Sequence, residues 1–166
     1  VIAEGMVDLP IEVAQNLSII LLDTMGIYWT MKYPNHKDED LLKQWGLKGK
    51  GLDVIIFTPE GYYKEYKKKG IPTDRPFSVK PSELSAADWS MTFGVTTNDP
   101  IGVLIERIVN QLKDEKGDFS LDDIIKAINK DKRSTPEERS AAENHFINTK
   151  SWGLFSEKGT PLKDLA

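Results

Sequence analysis

The longest apolar run of the chain, Leu17–Leu22, ends directly at an acidic residue, Asp23. The run is rich in leucine and isoleucine and is interrupted only by Ser18. A short apolar run between polar residues is typical of a strand buried on both faces, as in a parallel sheet covered by helices. It is far shorter than the roughly 20 residues that a membrane-spanning helix needs. We therefore predict a buried strand over residues 17–22 with a loop at its carboxyl end, and no membrane partner.

Two further strands and one helix are predicted between residues 52 and 80. Leu52–Phe57 is a second apolar run, and Pro76–Lys80 alternates with period two beside prolines, which favours an edge strand. Between them, Thr58 and Pro59 indicate a helix start, with threonine as N-cap and proline at the first helical position. This helix is expected to end at Gly70. The order of strand, helix and strand favours an α/β architecture.

The pattern changes to helices from Ser85 onward. Helix starts are indicated where a serine or threonine precedes an acidic residue by three positions, as in Ser85 with Asp88, Ser120 with Asp123, and Thr135 with Glu138. A further helix is indicated by apolar residues at helical spacing over Pro100–Leu112. We therefore expect one domain over residues 1–166, with strands in residues 1–84 and mainly helices in residues 85–166.

The composition is that of a globular protein and removes several chemistries. Of 166 residues, 39% are hydrophobic and 29% are charged, which is too apolar for a disordered chain. The chain has no cysteine and only two histidines. Disulfides, thiolate nucleophiles and cysteine-based metal sites are therefore excluded, and we expect no metal site. The lack of cysteine fits a reducing cytoplasm.

Asp23 is the acidic residue whose position suggests chemistry. It follows the first predicted strand, and in open α/β sheets ligands, metals and catalytic groups gather at the carboxyl ends of the strands. The alternative is that its carboxylate caps the next turn, as aspartate often does. The residues alone leave these two roles equally open.

A second surface of interest is the predicted helix that contains Tyr62–Lys69. Lysines neutralise phosphates and aromatic rings stack on bases, so the helix is a candidate nucleic-acid contact. The residues that would make this contact lie in its last turn: Tyr66, Lys67, Lys68 and Lys69. An amphipathic helix with inward tyrosines, and with lysines near the negative end of the helix dipole, explains the same pattern. The pattern favours this solvated helix over a nucleic-acid surface.

The segment Leu17–Tyr28 places the predicted strand before the sequence Asp-Thr-Met-Gly-Ile-Tyr. It resembles a strand followed by D-P-H-G-E-Y in archaeal ATPases of the HerA–FtsK division of P-loop NTPases. The matching positions are Asp23, Gly26 and Tyr28. The departing positions, to which no role of the family's proline, histidine or glutamate carries over, are Thr24, Met25 and Ile27. Phe77–Leu84 resembles the segment after the second strand of these ATPases, and Trp152–Leu165 resembles the stretch before their next core strand.

This resemblance implies a partial RecA-like P-loop NTPase core with a mostly helical second half. In these ATPases the Walker A loop precedes a helix whose end would align with a helix end predicted here over Val1–Met6. The Walker B acids would lie beyond Ala166. The chain would then be the segment between the two nucleotide motifs of a DNA translocase or helicase that forms a homo-hexamer.

The resemblance also implies a role for the loop after the first predicted strand. In the parent protein, ATP and Mg²⁺ would be the cofactors, Asp23 would support the nucleotide site, and Gly26 would lie in the loop that faces the cofactor. The isolated chain would bind neither cofactor and would not hydrolyse ATP. The alternative is a non-catalytic α/β binding or adaptor module, in which Asp23 is a cap and the helix with Tyr62–Lys69 is a docking face.

Overall fold

The computed structural model describes Gly5 and residues 9–165 of the chain. Residues 9–56 are mostly exposed, residues 57–84 hold a small parallel sheet and a helix, and residues 85–165 form a helical unit with most of the core. The predicted mixed α/β class with a mostly helical second half is confirmed. The predicted helix end over Val1–Met6 lies outside the described residues, apart from Gly5, which is helical.

Short helical turns interrupt an otherwise irregular segment over residues 9–56. They are α1 (Ile11–Ala14), a 3-10 helix (Tyr28–Lys32) and α2 (Glu39–Gln44). Leu52, at 8% exposure, is the one buried apolar residue that the described part of this segment contributes. Hydrophobic burial therefore does little to hold residues 9–56 against the rest of the molecule.

The predicted buried strand over Leu17–Leu22 is wrong in the described structure. The segment is irregular, and its large apolar side chains are exposed by fractions from 42% at Ile19 to 83% at Leu22. A strand buried on both faces needs paired strands at its edges and helices over its faces. No described strand pairs with this segment. The apolar pattern alone is therefore not sufficient to form a sheet.

A β-α-β unit with a two-stranded parallel sheet lies in the middle of the chain. Its elements, in chain order, are β1 (Phe57–Pro59), α3 (Glu60–Lys69) and β2 (Arg75–Phe77). Thr58 of β1 pairs with Pro76 of β2 in the parallel register. The C-cap of α3 is Gly70, which has a left-handed φ of 70°, so the predicted helix and its end are confirmed. Thr58 is not its N-cap, because Thr58 lies in β1 and its buried hydroxyl bonds to that of Thr73 at 2.6 Å.

Both predicted strands of this region are shorter than expected. Of Leu52–Phe57, only Phe57 enters β1, and of Pro76–Lys80 only the first two residues belong to β2. A parallel bridge then joins Val79 to Phe155, so β2 is followed on its C-terminal side by a contact with the end of the chain. A sheet of this size does not identify a RecA-like core.

Four consecutive helices form the helical unit. They are α4 (Ala86–Phe93), α5 (Pro100–Lys116), α6 (Leu121–Lys130) and α7 (Pro136–Lys150), and a short α8 (Leu162–Leu165) follows. Complete capping boxes begin three of them, α4, α6 and α7, with Ser85, Ser120 and Thr135 as the N-caps. All three predicted capping boxes are therefore confirmed. In each one, two residues three positions apart satisfy backbone N–H groups at the start of the helix.

The core of the molecule lies between these four helices. Trp89 and Phe146 are fully buried, with ring centroids 5.1 Å apart, and Phe93 packs against both at 5.7 and 5.0 Å. The apolar face of α5 closes the core with Leu104, Ile105, Ile108, Val109 and Leu112. Within the part of the chain that the structure describes, no helix has both the length and the apolar character to cross a bilayer.

Hydrogen bonds to backbone carbonyls join the α/β part to the helical unit. The Gly61 N–H of α3 donates to the Gly153 carbonyl at 2.9 Å, and the Tyr62 hydroxyl donates to the Ser151 carbonyl. A Cβ at Gly61 would lie 2.6 Å from the Gly153 Cα, which is closer than real Cβ contacts. Glycine at position 61 is therefore required for this approach.

Candidate functional site

The Asp23 loop, residues 23–28, is closed by the carboxylate at its start. Asp23 Oδ1 accepts the Ile27 N–H at 2.9 Å, and Asp23 Oδ2 accepts the Tyr28 N–H at 2.8 Å. Gly26 has a φ of 66°, which only glycine adopts freely, and this lets the chain turn back toward the carboxylate. The capping role left open by the sequence is thus present in the structure.

The loop continues without a break into the 3-10 helix. Trp29 Nε1 donates to the Gly26 carbonyl at 2.9 Å, and Thr30 Oγ1 donates to the Ile27 carbonyl at 2.8 Å. The Trp29 and Tyr33 rings meet edge to face with centroids 5.9 Å apart. Residues 23–32 therefore form one hydrogen-bonded unit, which we call the Asp23 unit.

The hydrogen bonds of the loop keep Asp23 charged. Desolvation acts to raise the pKa of Asp23, but backbone hydrogen bonds, led by those from Ile27 and Tyr28, outweigh it and lower the pKa below its ordinary value. The residue is exposed, and each carboxylate oxygen has a further lone pair beyond the one that it uses for capping. Asp23 can therefore cap the loop and also accept a hydrogen bond from a water molecule or a ligand.

Gly26 faces open space in this loop. A Cβ built on Gly26 would meet no heavy atom within 4 Å. Glycine is thus needed here for its backbone conformation and not for close packing. The predicted contact of Gly26 with a cofactor remains a prediction.

The candidate nucleic-acid residues lie in the last turn of α3. Lys67, Lys68 and Lys69 are exposed, whereas Tyr66 is half-buried. Lys69 pairs with Glu65, and the Lys67 ammonium lies 5.7 Å from the centroid of the Tyr63 ring. Tyr63 is also half-buried, Tyr62 is exposed, and no residue of α3 is fully buried, so the helix is largely solvated. These contacts do not test nucleic-acid binding.

Asp74 connects the Asp23 unit to α3 and the sheet. Lys32 Nζ, at the end of the unit, lies 2.7 Å and 2.6 Å from the two carboxylate oxygens of Asp74. The same carboxylate accepts the Ile56 N–H at 2.7 Å, and the Asp74 carbonyl accepts the Tyr63 hydroxyl at 3.0 Å. Desolvation acts to raise the pKa of Asp74, but the Lys32 and Ile56 hydrogen bonds and the charge of Lys67 lower it overall.

Sequence patterns did not single out Lys32 or Asp74. The two residues lie 42 positions apart, and neither stands in a motif with a known spacing. A distant pair of this kind leaves no periodic signal in a single sequence.

Other polar groups of the described residues do not form a recognisable site. No group of three or more histidine, aspartate or glutamate side chains in the described part could hold a metal ion. A cavity of about 260 Å³ lies between the start of α6 and residues 155–157, and Asp122 and Lys150 in its lining pair with each other. The Asp23 unit does not line this cavity.

Comparisons with protein-family models, with curated proteins and with solved structures found no match to this chain.

Proposed function

We propose that this chain is part of an ATPase of the HerA–FtsK type and that the Asp23 loop borders its nucleotide site. In this proposal the remainder of the protein supplies the P-loop and the Walker B acids around a RecA-like core. Six copies form a ring in the cytoplasm and couple ATP hydrolysis to movement along DNA. The similarity of Leu17–Tyr28 to the family motif supports the proposal, with Asp23 and Gly26 at matching positions.

The observation that carries the proposal is an ordered acidic loop at the end of an uncovered apolar segment. Leu17–Leu22 has the composition of a buried strand, yet its large apolar side chains are exposed. Large exposed apolar patches are typical of interaction sites, and the proposal assigns this one to contact with further strands of the parent protein. Asp23 directly follows this segment and is held by two backbone hydrogen bonds. Strands that covered the segment would thus place an oriented carboxylate at their carboxyl edge.

The described residues do not by themselves fit ATP or Mg²⁺. A protein site for Mg²⁺ uses one or two carboxylates together with phosphate oxygens and water, and Asp23 would supply one. The sequence holds no G-x-x-x-x-G-K-[ST] motif to bind the phosphates. In this proposal the role of the Asp23 carboxylate, whose orientation is fixed by the loop, is to accept a hydrogen bond from a water molecule. Such preorganisation lowers the cost of rearrangement during a reaction.

ATP turnover by this chain, and by the chain extended on both sides with its natural coding sequence, tests the proposal. We expect turnover only in the extended protein, and at least a tenfold loss there in Asp23→Asn, which keeps the shape but removes the charge. Asp40→Asn is the matched control, since the Asp40 side chain is 96% exposed and lies in α2. Turnover by the 166-residue chain alone would refute the proposal, and full activity of Asp23→Asn would remove Asp23 from the mechanism.

An adaptor module without catalysis is the second candidate. It is favoured by one observation, that both Asp23 oxygens already accept backbone N–H groups, so capping alone accounts for the residue. ATP turnover by the extended protein distinguishes the two candidate functions. An adaptor would show no turnover in any form, and Asp23→Asn would change only the stability of the loop.

A further inference from the structure

Short-range hydrogen bonds link the start of the Asp23 unit to its end. At its start the carboxylate accepts the N–H groups of Ile27 and Tyr28, and directly after its last residue the Tyr33 N–H donates to the Thr30 carbonyl at 3.0 Å. Hydrogen bonds thus follow one another along the whole unit. Lys32 is the last residue of the 3-10 helix and lies nine positions after Asp23 in the chain.

The end of the unit is fixed by an ion pair and by the backbone. The Lys32 and Asp74 side chains are only 27% and 34% exposed, and Lys32 Nζ contacts both carboxylate oxygens. Beside the pair, the Leu52 N–H donates to the Met31 carbonyl at 2.7 Å. A Cβ at Gly51 would lie 2.3 Å from the Lys32 carbonyl oxygen, so the two chain segments are in direct contact. This partly desolvated pair is therefore better placed to restrain the chain than a fully exposed one.

Asp74 is itself anchored to the sheet. It directly precedes β2, and its carboxylate accepts the N–H of Ile56, which directly precedes β1. Both strands are parallel, so Asp74 lies at the amino ends of the two strands. Since Leu52 is the one buried apolar side chain of the described segment before β1, polar contacts supply much of the attachment of that segment.

We infer that Lys32 and Asp74 are positioning residues that hold the Asp23 loop in place relative to β1, α3 and β2. Neither residue touches the Asp23 carboxylate, and both act through the Asp23 unit. The importance of this position for ATP hydrolysis rests on the proposed function. The positioning itself is a property of the chain and can be measured without nucleotide.

Spin-label distances in the 166-residue chain test this inference. The chain has no cysteine, so Met25→Cys in the exposed loop and Lys64→Cys on α3 provide two unique labelling positions. We expect a single narrow distance distribution in this labelled chain. Lys32→Met or Asp74→Asn should at least double its width, because the Asp23 unit then keeps its backbone contact with Leu52 but loses the side-chain pair that restrains it. The double variant should be no broader than either single variant, since both changes break the Lys32–Asp74 ion pair and the amide oxygen of asparagine can still accept the Ile56 N–H.

Two controls separate positioning from a general loss of structure. Lys37→Met removes an exposed lysine of the same segment and should leave the distribution unchanged. A second labelled pair, Asn110→Cys on α5 and Asn144→Cys on α7, should keep its distance in every variant, because it reports only on the helical unit. An unchanged width in Lys32→Met and Asp74→Asn would overturn the inference, and so would equal broadening of both labelled pairs. Broadening of the loop distance in the 166-residue chain, together with no ATP turnover in the chain extended on both sides, would uphold the positioning and refute the proposed function.

Discussion

Replacement of Phe146 by alanine tests whether the helical unit holds the stability of this chain. Phe146 is fully buried, and its ring lies 5.1 Å from the Trp89 ring and 5.0 Å from the Phe93 ring. Truncation of a buried phenylalanine to alanine costs about 3–5 kcal/mol, from lost transfer free energy and from the cavity that remains. Two lost aromatic contacts at about 0.5–1.5 kcal/mol each fall within that range. We expect the free energy of unfolding to fall by about 4 kcal/mol.

Urea denaturation followed by far-UV circular dichroism measures this change. With a slope of about 2 kcal/mol per molar urea for a chain of this size, the midpoint should fall by about 2 M. Such a loss is a large share of the roughly 5–15 kcal/mol that stabilises a typical domain. Ile147→Ala, at the next position of the same helix, is the matched control, because Ile147 is 46% exposed and should cost less than about 1 kcal/mol. Equal midpoints for the two variants would refute the assignment of the core.

Two further predictions concern charge. The Lys116 ammonium and the Ser120 backbone hold the pKa of Asp123 at about 2, below its ordinary 3.8, so its stabilising effect is complete above about pH 4 and disappears as the pH falls through 2. The difference in free energy of unfolding between the natural chain and Asp123→Asn, from urea titrations, should therefore shrink between pH 4 and pH 2, and a constant difference would contradict this. On α3, any binding of duplex DNA by Lys67, Lys68 and Lys69 should weaken about 40-fold between 50 and 200 mM salt, if about three phosphates are contacted. Fluorescence anisotropy measures this, with Lys126→Gln as a control, and a salt-independent affinity would exclude phosphate contacts.

The helices of the second half could be predicted because their signals are local. Ser85, Ser120 and Thr135 each bond to the backbone three residues later, so a few adjacent positions contain the whole interaction. Gly70 ends α3 by its left-handed conformation, which is again a property of one residue. Interactions that involve only neighbouring residues can therefore be predicted from a single sequence.

The strands could not be predicted to the same extent, because pairing is a property of distant segments. Leu17–Leu22 has the pattern of a buried strand, but no described neighbour pairs with it. Val79 bridges to Phe155, far along the chain, which no pattern around Val79 indicates. The candidate site shows the same difference between local and distant contacts. The cap formed by Asp23 was among the alternatives, whereas the contact between Lys32 and Asp74 had no signal in the sequence.

The junction of Gly61 and Gly153 has a consequence for the order of folding. The neighbouring contact between Tyr62 and Ser151 spans 89 residues, and Ser78 bonds to Thr160 across 82 residues. The helical core, in contrast, packs four helices that follow one another closely in the chain. Closure of a long loop costs entropy before its contacts form, so local helical contacts should form first. During synthesis, the N-terminal half would therefore emerge from the ribosome first but would complete its docking last.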